Sequence, residues 1–211
     1  MPEGSAEYAA RIDKALGEDR RLPMSGADIP YWEIFPFEAE GLQVKPVEPP
    51  VAVEEPRHGE GGRPCRCHDA EKAREGAVWE DEHWVLTVGE PTGAPVVLML
   101  MTKAHHDFTD LPDDLAAEMG RIMVRLGAAV EALPSVGRAH LSRWGDGGAH
   151  LHVFFIARPA LMPQLRGTCM ALWDDFLPPV PLEVRDDNAR FVVERLVASH
   201  GGHAVGMAAG G

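Results

Sequence analysis

Positive charge is scarce in this sequence of 211 residues: 20 lysines and arginines face 33 aspartates and glutamates, a formal net charge of −13 with neutral histidine. A chain that lives on a phosphate backbone needs the opposite sign, which excludes a nucleic-acid platform as its main role. A small phosphorylated ligand is still allowed, because backbone N–H groups, histidines or a metal can hold one locally. Long apolar runs are missing too, and none approaches the roughly 18 residues a membrane helix needs. The Met1-Pro2-Glu3-Gly4 start lacks a basic region followed by an apolar one, so a cytoplasmic location is expected. Cysteine is rare as well. Of the three, Cys65 and Cys67 are crowded together, which makes no disulfide framework and fits a reducing compartment or metal binding.

Proline and glycine, at 18 and 22 residues, exceed average usage, and their placement divides the chain. Tyr8, Ile12 and Leu16 recur at helical spacing before Gly17. From Pro30 to Pro64 the breakers are dense and apolar runs brief, so an extended arm is expected there, anchored by Trp32, Ile34, Phe35 and Phe37. Residues 1–64 are therefore read as an N-terminal helix and Pro-rich arm, 65–160 as the core domain, 161–199 as a C-terminal helical extension and 200–211 as a disordered tail.

Within the core, Val78-Trp79-Glu80 and Trp84 to Val88 flank the polar Asp81-Glu82 as a hairpin would, and Val96 to Met101 is a compact apolar strand. Thr109-Asp110 is placed to cap a helix whose apolar face is Leu115, Met119, Ile122, Met123, Leu126 and Val130, and which stops before Pro134. Ala139 to Arg143 and residues 149–157 read as strands around the Gly145-Asp146-Gly147-Gly148 loop. Helices over 163–177 and 186–199 are expected on either side of Pro178-Pro179-Val180-Pro181. The class is α+β: an antiparallel sheet of about five strands with flanking helices.

The chemistry concentrates on one strand. Alternate side chains share a face, so His150, His152, Phe154 and Ile156 point one way and Leu151, Val153 and Phe155 the other. Two histidines on a half-buried strand can equally be accommodated polar residues. The order of features around them resembles the histidine triad (HIT) superfamily over roughly residues 65–160: a cysteine pair, a hairpin, an apolar strand ending in Lys103-Ala104-His105, a helix after Leu111-Pro112-Asp113-Asp114, a Gly-rich loop, then the histidine strand. The family pattern has three alternating histidines and this sequence has two. Two registers are open. Either Gly148 stands at the first position and His150 is the nucleophile, or Phe154 stands at the third and His152 is. The family's arginine follows the third position by four residues, as Arg158 follows Phe154, which favours His152. That register also resembles the galactose-1-phosphate uridylyltransferase branch, in which two histidines suffice.

The resemblance implies further expectations. Some relatives bind structural zinc through an upstream cysteine pair, a histidine after the apolar strand and the first triad histidine. Here Cys65 with Cys67 or His68, then His105 or its neighbour His106, and His150 would supply the four donors, all of types zinc accepts. His152 would attack the α-phosphorus of a small nucleotide and form a nucleotidyl-histidine. Gly145, Gly147 and Gly148 would present backbone N–H groups to the phosphate, with Arg143, His140 or Ser142 supplying charge that Phe154, an aromatic, cannot. A homodimer is implied too. The activity expected is hydrolysis or nucleotidyl transfer on a nucleotide phosphoester or phosphoanhydride. The alternatives are a nucleotide-binding protein without turnover, or a zinc-stabilised structural protein. Trp79, Trp84 and Trp144 are either core residues or a wall for a base.

Overall fold

The computed structural model describes residues 10, 14, 16–20, 46–171, 174 and 177–206. The expected first helix lies almost entirely outside these residues, as do Trp32, Ile34, Phe35 and Phe37. Contacts divide the chain into two units, Met1–Glu55 and Pro56–Gly211. In the first, Val47 N–H donates to the Arg20 carbonyl at 2.9 Å and the Arg20 guanidinium donates back to Val47.

The second unit holds the sheet. Its strands are β1 (Ala77–Glu80), β2 (Trp84–Val88), β3 (Val97–Thr102), β4 (Val136–Ser142), β5 (His152–Pro159) and β6 (His203–Ala204), with helices α1 (Ala70–Arg74), α2 (Asp113–Glu131) and α3 (Leu182–His200). All neighbours pair antiparallel in the order β4-β5-β3-β2-β1-β6. The class is α+β as expected, with one strand more: β6 pairs Ala204 with Trp79 and His203 with Glu80, where a disordered tail was read. Backbone pairing reaches those residues because α3 stops at Gly201, whose φ of 105° only glycine adopts freely, and the Trp79 indole donates to the Gly201 carbonyl at 2.9 Å. No helix of the described residues is long and apolar enough to cross a membrane.

Two sequence expectations shift. Asp107 and Asp110 form a capping box around a separate 3-10 turn, Phe108–Asp110, and α2 starts at Pro112 without a side-chain cap. Proline has no side-chain oxygen to accept from the first-turn N–H groups, and Asp113 and Asp114 complement the positive helix end directly. Between 163 and 169 the chain forms two 3-10 turns rather than the start of a long helix, with Gly167 at φ 65°.

The sheet has two unlike faces. Trp84, Leu86, Leu98, Leu100, Leu151, Val153, Phe155 and Ala157 join Ile122, Leu126, Val130, Val192 and Leu196 of α2 and α3 in one buried core. Trp79 and Trp84 are fully buried in it, so these two indoles are core residues. Fully burying one large apolar side chain is worth about 1.5–3 kcal/mol, and this cluster is what fixes the register of β5. A slip of one residue would turn Phe155 out of the core and His152 into it. The other face carries His152, Phe154, Met99, Met101, Val85 and Glu80, and no long helix of the described residues covers it.

Candidate active site and metal centre

β5 enters the site at its first residue. His152 Nδ1 lies 2.8 Å from the carbonyl oxygen of His150, and its Nε2 lies 2.7 Å from the carbonyl oxygen of Trp144. Only a doubly protonated ring donates to both; a neutral ring donates to one and turns a lone pair toward the other. Phe154, two residues on, meets the His152 ring edge-on at 5.5 Å and packs against the half-exposed Trp144 indole at 5.3 Å. Trp144 therefore stands apart from the two core tryptophans and forms an aromatic wall with Phe154.

His152, His150 and Phe154 line a cavity of about 360 Å³, completed by Arg66, Cys67, Ala70, Ala73, Arg74, Glu80, Val85, Met99, Met101, Thr102 and Lys103. Its walls are mostly apolar, with three cations at the margin. Glu80 is 6% exposed and pairs with Arg74 at 2.5 Å and Lys103 at 3.4 Å. Burial pushes its carboxyl up, but the Arg74 hydrogen bond and the Lys103 charge outweigh it and hold the group below the usual range. His140 and Ser142 line a second cavity of about 820 Å³ with Trp144 and Ile156 instead.

The Gly-rich loop is held by residues upstream of the expected core. His58 bridges to Gly148, His58 N–H donates to the Gly147 carbonyl at 3.1 Å, and Arg57 donates to the Gly145 carbonyl at 3.0 Å. Arg57 and Arg143 both grip Asp107, at 2.7 and 2.6 Å. Arg143 is thus committed to the loop clamp and does not line the histidine cavity. Burial raises the Asp107 carboxyl, yet the Phe108 N–H and the two guanidinium groups together hold it below its ordinary value. Arg158 donates to the carbonyls of Pro159 and Met162 at the far end of β5. Nothing in the sequence around Arg57 signalled its place, since it sits in a proline-rich stretch without a motif.

Four donor side chains converge beside the histidine strand. Cys65, Cys67, His105 and His150 bring their ligand atoms within 4.8 Å of one another. Cys65 Sγ is 3.5 Å from His150 Nδ1, Cys67 Sγ is 3.4 Å from His105 Nδ1, and the sulfurs are 3.0 Å apart. Tetrahedral zinc with ordinary bond lengths sets donor separations of roughly 3.4–3.8 Å, so the donor types and spacings fit after a small opening of the sulfur pair. The other nitrogen of His150, Nε2, is 2.7 Å from the Thr102 carbonyl oxygen, which leaves Nδ1 the ligating atom in the neutral ring. Burial holds His150 below the usual histidine range, hence neutral, against the opposing Thr102 hydrogen bond. Burial also pushes the Cys67 thiol up to about 12, with the Cys65 sulfur adding to the push; a dication between the sulfurs reverses both effects. His68 is exposed, its ring 5.8 Å from that of His105, and is not one of the four. His106 faces Asp110 at 3.8 Å instead.

No family model matches the sequence, and no curated protein matches it. Among solved structures, the chain is similar to a histidine triad protein from Marinobacter aquaeolei VT8, at 16% identity over 61% of this chain and 95% of that one, with a TM-score of 0.48. It is also similar to a hypothetical histidine triad nucleotide-binding protein from Sulfolobus tokodaii strain 7, at 16% identity over 63% and 91% with a TM-score of 0.47. A third is a zinc-bound histidine triad family protein from Mycobacterium smegmatis, at 18% identity over 58% and 84% with a TM-score of 0.42.

Proposed function

We propose that this chain acts on a small nucleotide, cleaving or transferring at a phosphoester or phosphoanhydride through a covalent intermediate on His152. The observation that carries the reading is the His152 ring itself. In the tautomer that donates Nδ1–H to the His150 carbonyl, Nε2 holds a lone pair, and the side chain lines an apolar cavity margined by Arg66, Arg74 and Lys103. For attack the Trp144 carbonyl must leave Nε2, so substrate entry and displacement of residues 144–148 go together. Nε2 then bonds to the α-phosphorus while the bond to the departing oxygen breaks, its electron pair going to that oxygen; water or another acceptor oxygen later displaces the imidazole. Arg74 and Lys103 offset charge on the phosphoryl oxygens, a role the global charge of −13 does not oppose locally. Gly145, Gly147 and Gly148 approach the phosphate, and Phe154 with Trp144 forms the wall against the base.

In the same reading Cys65, Cys67, His105 and His150 hold a structural zinc, which supplies a crosslink joining the approach to α1, the end of β3 and the entry to β5. A homodimer and a cytoplasmic location complete the proposal. A second reading, nucleotide binding without turnover, is favoured by Phe154 in place of a proton donor and by the carbonyl on Nε2. The test is turnover over a panel of nucleoside phosphates and dinucleotides, with mass spectrometry of enzyme trapped on a slow substrate. We expect one nucleotidyl adduct on His152 and a loss of at least about 10³-fold in His152→Ala. Full turnover in that variant overturns the enzyme reading, and affinity without turnover selects the second.

A further inference from the structure

A second cluster of metal-type donors lies where the β1–β2 turn meets α2 and the end of α3. Asp81, Glu118 and His200 bring one ligand atom each within 4.8 Å of one another. Their side chains are 14%, 23% and 13% exposed, so solvent screens them poorly. Among the described residues no lysine or arginine side chain pairs with either carboxylate. Asp81 faces His200 and Glu118 faces His83, while Lys103, paired with Glu80, touches Asp81 through its backbone carbonyl and not its carboxylate. Two half-buried carboxylates are thus left to imidazoles for their countercharge.

The spacing argues for a shared cation rather than a pair. His200 Nε2 is 3.5 Å from Asp81 Oδ2, beyond the roughly 2.7–2.9 Å of a charge-assisted hydrogen bond, but close to the roughly 3.4 Å between an oxygen and a nitrogen bound to one zinc ion. Each donor is also held by a neighbour outside the cluster. Asp81 Oδ1 accepts from the N–H groups of His83 and Trp84 at 2.9 and 2.7 Å, which turns Oδ2 toward the cluster. Glu118 Oε2 accepts from the Trp84 indole at 3.0 Å and faces His83 Nδ1 at 3.1 Å, which holds the carboxylate beside the turn. His200 packs edge-on against Trp79 at 5.9 Å, and the same indole anchors the Gly201 carbonyl. Gly202 beyond it allows no side chain, since a Cβ there would stand 2.6 Å from Trp79 Nε1. The imidazole is therefore aimed before any ion arrives.

The geometry points to a second divalent-metal site, built from Asp81, Glu118 and His200, that takes a zinc-class cation and ties the end of α3 to the β1–β2 turn. The donor set of two oxygens and one nitrogen, with a position left for water, differs from the cysteine-rich cluster, and the inference is independent of any chemistry at His152. The test uses the full chain stripped with a chelator and titrated with Co²⁺, then Zn²⁺. Wild type is expected to bind two equivalents, only one of which gives a thiolate-to-cobalt charge-transfer band. The Cys65→Ser/Cys67→Ser variant is expected to lose that band and keep one equivalent, which Asp81→Asn or His200→Gln then removes. Should the double cysteine variant fail to fold by circular dichroism, His200→Gln alone decides the matter in wild type, removing the band-silent equivalent and leaving the band. The inference is overturned if the folded cysteine variant binds no metal, or if Asp81→Asn and His200→Gln leave the count unchanged.

Discussion

Cys65 and His150 are 85 residues apart in the chain, and their ligand atoms, Sγ and Nδ1, lie 3.5 Å apart in the fold. The His150 ring is held from its other side by the Thr102 carbonyl, so the pair is set before a metal is added. A metal bound there stabilises only the folded state. If it is present at about 100 times its dissociation constant, it adds about 2.7 kcal/mol. For a chain of this size, chelation is then expected to lower Tm by about 5–10 °C, as is His150→Ala. Differential scanning calorimetry with and without zinc checks this; an unchanged Tm on both routes rules out a stabilising metal at the cysteine cluster.

Asp107 joins Arg57 and Arg143 across the loop that carries Trp144. Its folded carboxyl titrates below its ordinary value, so it contributes stability above the unfolded pKa near 3.9 and loses it as pH falls through the lower folded value. Asp107→Asn is expected to cost about 1.5–3 kcal/mol at pH 7, from lost charge-assisted hydrogen bonds. The gap should narrow below about pH 4. Urea unfolding of both proteins from pH 3 to 7 measures it, and a gap constant across that range contradicts the assignment.

Gly147 and Gly148 need no left-handed backbone, and a Cβ at either meets nothing within 4 Å. Gly148→Ala is therefore expected to change stability by less than about 0.5 kcal/mol. If the loop receives phosphate, the added methyl should raise KM for nucleotide while Tm stays put. Unchanged KM would assign these glycines to the turn alone.

Phe154 contacts both His152 and Trp144 through its ring. Phe154→Leu keeps an apolar side chain and removes the ring pair, an interaction worth about 0.5–1.5 kcal/mol beyond area. Nucleotide affinity should fall by about 3-fold to 10-fold if the wall stacks against the base. Calorimetric titration of both proteins reads this, and equal affinity dissociates the wall from the ligand.

Much of this arrangement was legible in local pattern. The alternation of Leu151, Val153 and Phe155 with His152, Phe154 and Ile156 foretold which face of β5 is core, because a strand's period of two is a property of its own backbone. The order of motifs brought Cys65, His105 and His150 under consideration together, although sequence alone left Cys67 and His68 as equal candidates. The 3-10 turn Arg66–His68 settles the placement by pointing Cys67 at the cluster and leaving His68 in solvent. Arg57 carried no signal, because its partners Asp107 and Gly145 are 50 and 88 residues away. Thr109-Asp110 reads as the cap of the long helix in the sequence, whereas Asp110 closes a separate turn with Asp107, since the break that Leu111 and Pro112 introduce is invisible to periodicity.

The sequence by itself determined the α+β class, the strand that bears the histidines and the face they share, since these follow from the spacing of apolar and polar residues along short segments. Tertiary structure alone decided what each ring nitrogen of His150 and His152 meets, which cations border the cavity, and that Asp81, Glu118 and His200 converge from three elements. Those are distances between segments far apart in the chain, fixed by sheet register and core packing, and no local pattern encodes them.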